Sequence, residues 1–518
     1  MRSTGGLDGQ EGKRTFLRLL PLFFASGAAG LLYEVVWLRM LIRAFGVTVY
    51  AVTTVLAVFM GGLALGAFLG GRLAPRLRRP LLAYGLVEAG IGLSAWASTL
   101  AMRTLPELVP AIHAAAPSLP LAPVRFVLAA LVLLVPTVLM GATLPVLSGL
   151  FEGRDGERRV GFLYAVNTGG AVLGVLASGF VLLGALGETR TVLAGVAANL
   201  GVGVAALLLC RRGGPAPASP VPAPSQSVPS PVDGGPSATG LLVLYGLVGA
   251  VALGYQVVWS RLLILLVGNS VYGFSSMLAM YLVGIAAGAA VMAARLRRVR
   301  DPVPWMAGLL ALGAFLSVVS LAVLTALGTA ETSEAYTYSR LWSREDFLPL
   351  PLYSFVVVFP VTFCSGALFP AFVQAWTRSR PGLPEATGRL YGVNTVGAIA
   401  GSVVTGFLLI GLLGSVLTLL VAAALSLVLA TVVLLRAAHD HPRRRLAALG
   451  LWPAFLLLAV FSLEDPLPAI LRARLPEGSE IRFHTEDAVA ATTVADTSHR
   501  NLYINGLAVS GTGYIARV

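Results

Sequence analysis

The sequence is short of charge. Only 12% of its 518 residues are Asp, Glu, Lys or Arg, against roughly 25% in a soluble domain. A water-facing surface for a chain this long cannot be made from so few charges. Cysteine is nearly missing: Cys210 and Cys364 are the two present, each in or at the end of an apolar run, which excludes a disulfide framework and a thiolate metal set. No His/Asp/Glu spacing suggests a metal either. There is no strand, Gly-rich loop and helix in succession of the kind that cradles a nucleotide phosphate; the 58 glycines fall mostly inside apolar stretches. No residue can be assigned a catalytic role, and no cofactor is expected in this chain.

What is abundant is hydrocarbon. Hydrophobic residues make up 57% of the chain, and mean hydropathy is +0.83. Apolar runs near the 20 residues needed to cross a bilayer recur at 17–37, 48–70, 81–101, 124–149, 160–184, 190–210, 240–262, 270–294, 303–326, 350–375, 389–412 and 415–435, with a shorter one at 446–462. The sequence therefore predicts an all-α polytopic membrane protein with twelve transmembrane helices, thirteen if 446–462 also crosses. The lipid bilayer is its first partner. The run after Lys13-Arg14 has signal-peptide features, but it continues into a string that recurs later, so it reads as a retained first span.

The net charge of +13 does not point to nucleic acid. The arginines sit in short connections: Arg72, Arg76, Arg78 and Arg79 after the second run, Arg154, Arg158 and Arg159 after the fourth, Arg211 and Arg212 after the sixth, Arg295, Arg297, Arg298 and Arg300 after the eighth, and Arg443–Arg445 after the twelfth. The intervening connections are poor in cations. By the positive-inside rule, even-numbered helices end in the cytoplasm and the N-terminus starts there, in a bacterial inner membrane.

The chain repeats itself. YEVVWLRML at Tyr33–Leu41 returns as YQVVWSRLL at Tyr255–Leu263, and Gly62 and Gly66 return as Gly284 and Gly288 at the same offset. YAVNTGG at Tyr164–Gly170 returns as YGVNTVG at Tyr391–Gly397, and GFVLLGALG at 179–187 as GFLLIGLLG at 406–414. The domains follow: a first six-helix repeat at 1–212, a Pro/Ser/Gly linker at 213–239, a second repeat at 240–436, a connector with the candidate thirteenth helix at 437–475, and a β-rich tail at 476–518. Six is even, so the repeats are parallel, an arrangement used by many secondary transporters.

The repeated strings nominate residues. Gly62, Gly66, Gly70, Gly284 and Gly288 lie one turn apart and let helix backbones approach closely. Tyr33, Trp37 and Arg39, with Tyr255, Trp259 and Arg261, have the composition of interfacial anchors. Glu34 lies inside that aromatic cluster, and Gln256 stands at the matched place. An acid within a span is costly and marks a functional candidate; its partner is expected from another helix, since Arg39 is five residues away. Glu88, in the third run, is a second intramembrane acid without a counterpart. Asn167 and Asn394 are a symmetric amide pair that either bridges helices or contacts a ligand. Together Glu34, Gln256, Glu88, Asn167 and Asn394 form the candidate substrate-binding set, suited to a small cation or polyamine. In the tail, 489–494 and 502–504 read as strands and Asn505-Gly506 as a tight hairpin turn.

Two resemblances follow from these motifs. GGRLAPRLRRP at Gly70–Pro80 resembles the cytoplasmic motif between helices two and three of major facilitator transporters, with Pro75 in place of the family's acid and Leu77 in place of its second glycine. SGAAGLLYEVVWLRML at 26–41, AVFMGGLALGAFLGGRLA at 57–74, LYAVNTGGAVLG at 163–174 and the tail EDAVAATTVAD…NLYINGLAVSGTG resemble bacterial fusions of a transporter-like membrane region with a spermidine-synthase-like domain. That likeness implies that the tail opens the small β-domain of an aminopropyltransferase. A Rossmann-like domain using decarboxylated S-adenosylmethionine would then follow, with the present sequence truncated before it. Three functions are compatible with the sequence: the membrane module of such a polyamine-biosynthetic fusion, a secondary transporter of a small cation or polyamine, and a structural membrane scaffold. Oligomeric state is not fixed by the sequence.

Overall fold

The computed structural model describes residues 10–45, 49–151, 155–211, 237–267, 271–330, 349–380, 382–437, 442–462, 465–475, 478–486, 491–497, 500–504 and 507–511. Its helices are α1 (Gln10–Phe45), α2 (Val49–Leu73), α3 (Pro80–Met102), α4 (Leu105–Ala115), α5 (Leu121–Ser148), α6 (Gly156–Leu176), α7 (Leu183–Arg211), α8 (Ala238–Leu262), α9 (Ile264–Val267), α10 (Val271–Arg295), α11 (Val303–Ala330), α12 (Pro349–Ser379), α13 (Leu383–Val403), α14 (Ile410–Ala437), α15 (Pro442–Phe461) and α16 (Pro466–Arg474). Four strands end the chain: β1 (Glu480–Glu486), β2 (Ala491–Asp496), β3 (Arg500–Ile504) and β4 (Leu507–Gly511). Among the described residues, eleven helical runs are long and apolar enough to span a membrane, and two of them, Gly156–Arg211 and Leu383–Leu435, are double-length.

Each double-length run is broken at the same place. A π-helical segment, Ala177–Leu182, links α6 to α7, and another, Val404–Leu409, links α13 to α14. Each is followed by a glycine in a conformation essentially closed to other residues: Gly187 at φ 70, ψ 175 and Gly414 at φ 75, ψ 171. The repeated GFVLLGALG and GFLLIGLLG thus end on the residue that lets the chain reverse into the next span. With both breaks counted, helices for the twelve expected spans are present, and Gly450–Ala473 is a further run of spanning length and composition.

Two compact units emerge, and they cut across the repeats. The first holds Met1–Gly249, Ile285–Met306 and Gly366–Ile399; the second holds Ala250–Gly284, Ala307–Ser365 and Ala400–Val518. In the first, α1 packs along α6, α2 along α5 and α3 along α7. Small residues make this possible. A Cβ at Gly62 would overlap the Thr137 hydroxyl, and one at Gly66 the Val138 carbonyl; at Gly70 it would lie 2.9 Å from Ala142 Cα. Gly170 and Gly174 press against the carbonyls of Phe24 and Ala28. The second repeat reuses the device: Gly284 meets the Thr362 hydroxyl and Gly401 the Ala250 carbonyl, while Gly288 is buried at its matched position. The first unit also takes in the basic ends of second-repeat helices, where Gly71 abuts Gly388 and Gly161 lies against Ala293 and Pro370.

In the second unit, α15 lies on α14, with Trp452 Nε1 donating to Thr431 Oγ1 at 3.2 Å. The tail forms an antiparallel sheet in sequential order, β1-β2-β3-β4. Its second strand runs over Ala491–Asp496, within the expected 489–494 region from residue 491 on, with Ala491, Thr493 and Ala495 turned inward; 489 and 490 lie outside the described residues. Ile504 pairs with Leu507, while Asn505-Gly506 lies outside the described residues, as does nearly all of the Pro/Ser/Gly linker. The expected hairpin is thus part of a four-stranded meander, and the polar segment Glu480–Glu486 contributes a strand that alternation alone did not reveal.

Candidate functional site

The repeated aromatic strings face inward. Tyr33 and Trp37 are fully buried and stack at 5.1 Å between ring centroids; Tyr255 and Trp259 stack at 5.3 Å. Their polar tips find partners inside each bundle. Tyr33 Oη donates to Asn199 Oδ1 at 2.9 Å, and Trp37 Nε1 to Thr99 Oγ1 at 3.0 Å. In the second repeat, Ser317 Oγ donates to Tyr255 Oη at 3.1 Å, and Trp259 Nε1 donates to Ser320 Oγ at 3.1 Å. These four aromatics are therefore interior bridges and not the interfacial anchors their composition suggests. A buried Tyr or Trp needs a partner for its polar atom, and α3 and α7, or α11 and α14, provide it. Arg39 is exposed, and its Nε lies 3.3 Å from Glu188 Oε1, with Arg43 on the same carboxylate. Arg261 is half-buried.

Glu88 lies at the centre of the first repeat with no exposed surface. Ser26 Oγ donates to its Oε1 and Asn199 Nδ2 to its Oε2, both at 2.6 Å. The chain Tyr33–Asn199–Glu88–Ser26 thus joins α1, α3 and α7. Two short bonds to a carboxylate are charge-assisted and strong. Leu310 occupies the matched position in the second repeat and is buried, which explains why no counterpart acid exists. Sequence reasoning found Glu88 and missed Ser26, Asn199 and Tyr84, which is also buried beside this carboxylate. A signal was present: Asn199 is matched at offset 227 by Ser426, whose Oγ lies 3.5 Å from Tyr255 Oη, so both repeats carry a polar residue at one place in an apolar span.

Glu34 is half-buried on α1. Among the described residues it makes no side-chain hydrogen bond, and it lies within electrostatic reach of Tyr391 on α13. Among the described residues no side chain of another helix pairs with Glu34; Tyr391, from the second repeat, is the phenol near it. Tyr391 belongs to an aromatic group built by both repeats: Tyr164 and Phe369 are 4.5 Å apart, Tyr164 and Tyr391 6.3 Å, and Tyr245 and Phe372 4.4 Å. Tyr164 and Tyr391 keep some exposure, whereas Phe369 and Phe372 are buried. Gln256 is half-buried on α8.

Asn167 and Asn394 are occupied elsewhere. Asn167 Nδ2 donates to the Phe23 carbonyl at 3.1 Å, and Asn394 Nδ2 to the Tyr245 carbonyl at 2.9 Å. The two contacts obey the repeat, and in each the amide bridges two helices. Glu34 thus lies near Tyr391 of the aromatic group, Glu88 is enclosed, and each Asn side chain donates to a carbonyl of another helix.

Ionic contacts that the sequence did not reveal join the repeats at the basic end. Arg297 clasps Asp155 through two bonds, one at 2.9 Å from Nε, and Thr377 Oγ1 donates to Glu157 Oε1 at 2.7 Å. The Arg297 bond, with the charges of Arg297, Arg158 and Arg159 nearby, holds the Asp155 carboxyl below its usual range. A cavity of about 320 Å³ near this end is lined by Phe68, Gly71, Arg72, Pro75, Glu385 and Arg389. Among the described residues, no cluster of His, Cys, Asp and Glu could hold a metal ion.

Searches with sequence alone find no matching protein-family model and no matching curated protein. Solved structures do match. The chain is similar to the Escherichia coli fucose:proton symporter FucP, at a TM-score of 0.51 and 16% identity, covering 82% of this chain and 99% of that one. It is similar to a bacterial homologue of the iron transporter ferroportin in an outward-facing state with soaked iron, at 0.52 and 13%, with the same coverage. At such identities the likeness is one of fold: this is a multi-pass membrane protein whose helices share the fold of these two transporters.

Proposed function

We propose that the protein is a secondary transporter of a small cation or polyamine, with Glu34 as the acid that faces the substrate. The observation carrying this reading is Glu34 itself: a half-buried carboxyl in an apolar helix, without a hydrogen bond among the described residues, beside a tyrosine of the opposite repeat. A carboxylate left in that condition is expensive unless a cation completes it. The aromatic faces of Tyr164 and Tyr391 suit an ammonium group. Glu88 differs, because its oxygens are already satisfied, and its role is to hold α1, α3 and α7 together. The fold shared with those two transporters supports the transport reading.

Purified protein in liposomes should accumulate labelled spermidine or a simple monovalent cation down an imposed gradient. Glu34→Gln should slow uptake by about ten-fold or more, the equivalent of roughly 1.4 kcal/mol of binding. Absence of uptake by the wild type, or equal uptake by Glu34→Gln, would remove the proposal. A second reading, a membrane module for a spermidine-synthase-like domain, rests on the sequence resemblance alone; the C-terminal sheet is a sequential antiparallel meander. It would be supported if a catalytic domain followed in frame.

A further inference from the structure

The turn between the fifth and sixth spans is built alike in both repeats, but its acid comes from different places. In the first repeat, Gly187 is followed by Glu188, gripped by Arg39 and Arg43 of α1. The matched residue after Gly414 is Ser415, which has no charge. Its acid arrives from the C-terminal sheet: the Ser415 amide donates to Glu486 Oε2 at 2.6 Å, and Ser415 Oγ donates to Glu486 Oε1 at 2.8 Å. Glu486, at the end of β1, therefore caps a helix whose N–H groups have just been freed by the glycine break. A carboxylate there satisfies an orphan donor and complements the helix dipole.

The rest of the tail leads to that point. Phe455 of α15 meets Phe315 of α11 edge to face at 6.0 Å. Ile470 of α16 fills the space left by Gly328, near the C-terminal end of α11. Asp465 caps α16 through Leu467 N at 2.9 Å and lies 3.3 Å from His484 of β1. The 22 residues from Ser415 to Arg436 rise about 33 Å as a helix, close to the roughly 30 Å of the hydrocarbon core. The sheet thus docks at the end of α14 opposite the Arg-rich connections, and α15 is the crossing that takes the chain there.

We propose that the C-terminal sheet lies on the extracytoplasmic side and is fixed to the outer turn of the second repeat by the Glu486 carboxylate, replacing the internal acid that the first repeat has in Glu188. This assignment is independent of what the protein transports. It also places the sheet across the membrane from any donor molecule made in the cytoplasm.

Sidedness and docking are tested separately. In a Cys210→Ala, Cys364→Ala background, Arg482→Cys in β1 should react with a membrane-impermeant maleimide in intact spheroplasts, with no gain on lysis. Arg211→Cys, at the other end of α7, should react only after lysis. Reaction of Arg482→Cys only after lysis, or of both from one side, overturns the placement. For docking, Glu486→Ala should raise hydrogen exchange at the amides of 415–418 about five-fold, the typical effect of losing an N-cap. Exchange in the β2–β3 ladder should stay unchanged, and Glu188→Ala should leave 415–418 as in the wild type. Unaltered exchange at 415–418 in Glu486→Ala overturns the docking. Should that variant melt the sheet, Ser415→Ala removes the hydroxyl donor from the other side, and the same comparison decides.

Discussion

At the scale of single residues, Glu34 and Glu88 show how one side chain type acquires two roles from its surroundings. Glu88 has its donors in place, and removing one leaves a buried carboxylate short of a partner. Asn199→Ala should therefore lower stability by about 1–3 kcal/mol, read as a drop in thermal midpoint in detergent. Glu34→Gln should leave that midpoint nearly unchanged, because no hydrogen bond is lost among the described residues. The two acids looked alike in the sequence, since each is a single carboxyl in an apolar run. What separates them is a set of contacts made by residues 26 and 199, far away along the chain, and no local pattern reports those. The Tyr and Trp pairs were misleading for a related reason: amphipathic rings serve equally at a headgroup boundary and inside a bundle that offers a hydroxyl or amide. Here Thr99, Asn199, Ser317 and Ser320 offer one.

At the scale of elements, the helix breaks and the sheet carry the sharpest expectations. Gly187→Ala and Gly414→Ala each force a side chain into backbone space that only glycine occupies comfortably, at a cost of roughly 1–3 kcal/mol. Gly414→Ala should cost more, because its new methyl would sit 3.1 Å from Glu486 Oε2 while Gly187 has open space around it. Comparing the two thermal midpoints checks this. In the sheet, Arg500 and Arg482 together hold the Asp496 carboxyl down at about 2. A depressed acid stabilises above its ordinary value and stops doing so as pH falls through the lowered one. Acidification from pH 4 toward 2 should accordingly loosen the β1–β2–β3 pairing, and Asp496→Asn should abolish that pH dependence in a hydrogen-exchange profile. Helix positions were legible in the sequence because twenty apolar residues in a row have few other uses. The strand β1 was not, since its inward and outward residues, Glu480 to Glu486, are nearly all polar or half-exposed.

At the scale of the whole molecule, the duplication was legible from four short strings, and its consequences recur in matched contacts: Asn167 with Phe23 and Asn394 with Tyr245, or Gly62 with Thr137 and Gly284 with Thr362. The ionic join between the repeats was not legible, because Asp155 and Arg297 have no fixed separation that a sequence rule could use. Both groups are partly exposed, so solvent screens the pair and its contribution is small. Asp155 is lowered, so its share is present above the usual carboxyl range and fades as pH drops below about 4. Transport or cross-linking that depends on this join should respond to acid in the wild type and lose that response in Asp155→Asn.

The close approach of α1 to α6, and of α8 to α13, also limits what evolution can do to this chain. Where a carbonyl oxygen already fills the place of a methyl, as at Gly170, Gly174, Gly397 and Gly401, every alternative residue meets a wall, while neighbouring lipid-facing positions can exchange one aliphatic for another freely. Distant descendants of the same ancestor should thus keep the register of these glycines after the rest of their likeness has worn away, and a spacing pattern drawn from these positions would find them where overall identity no longer does.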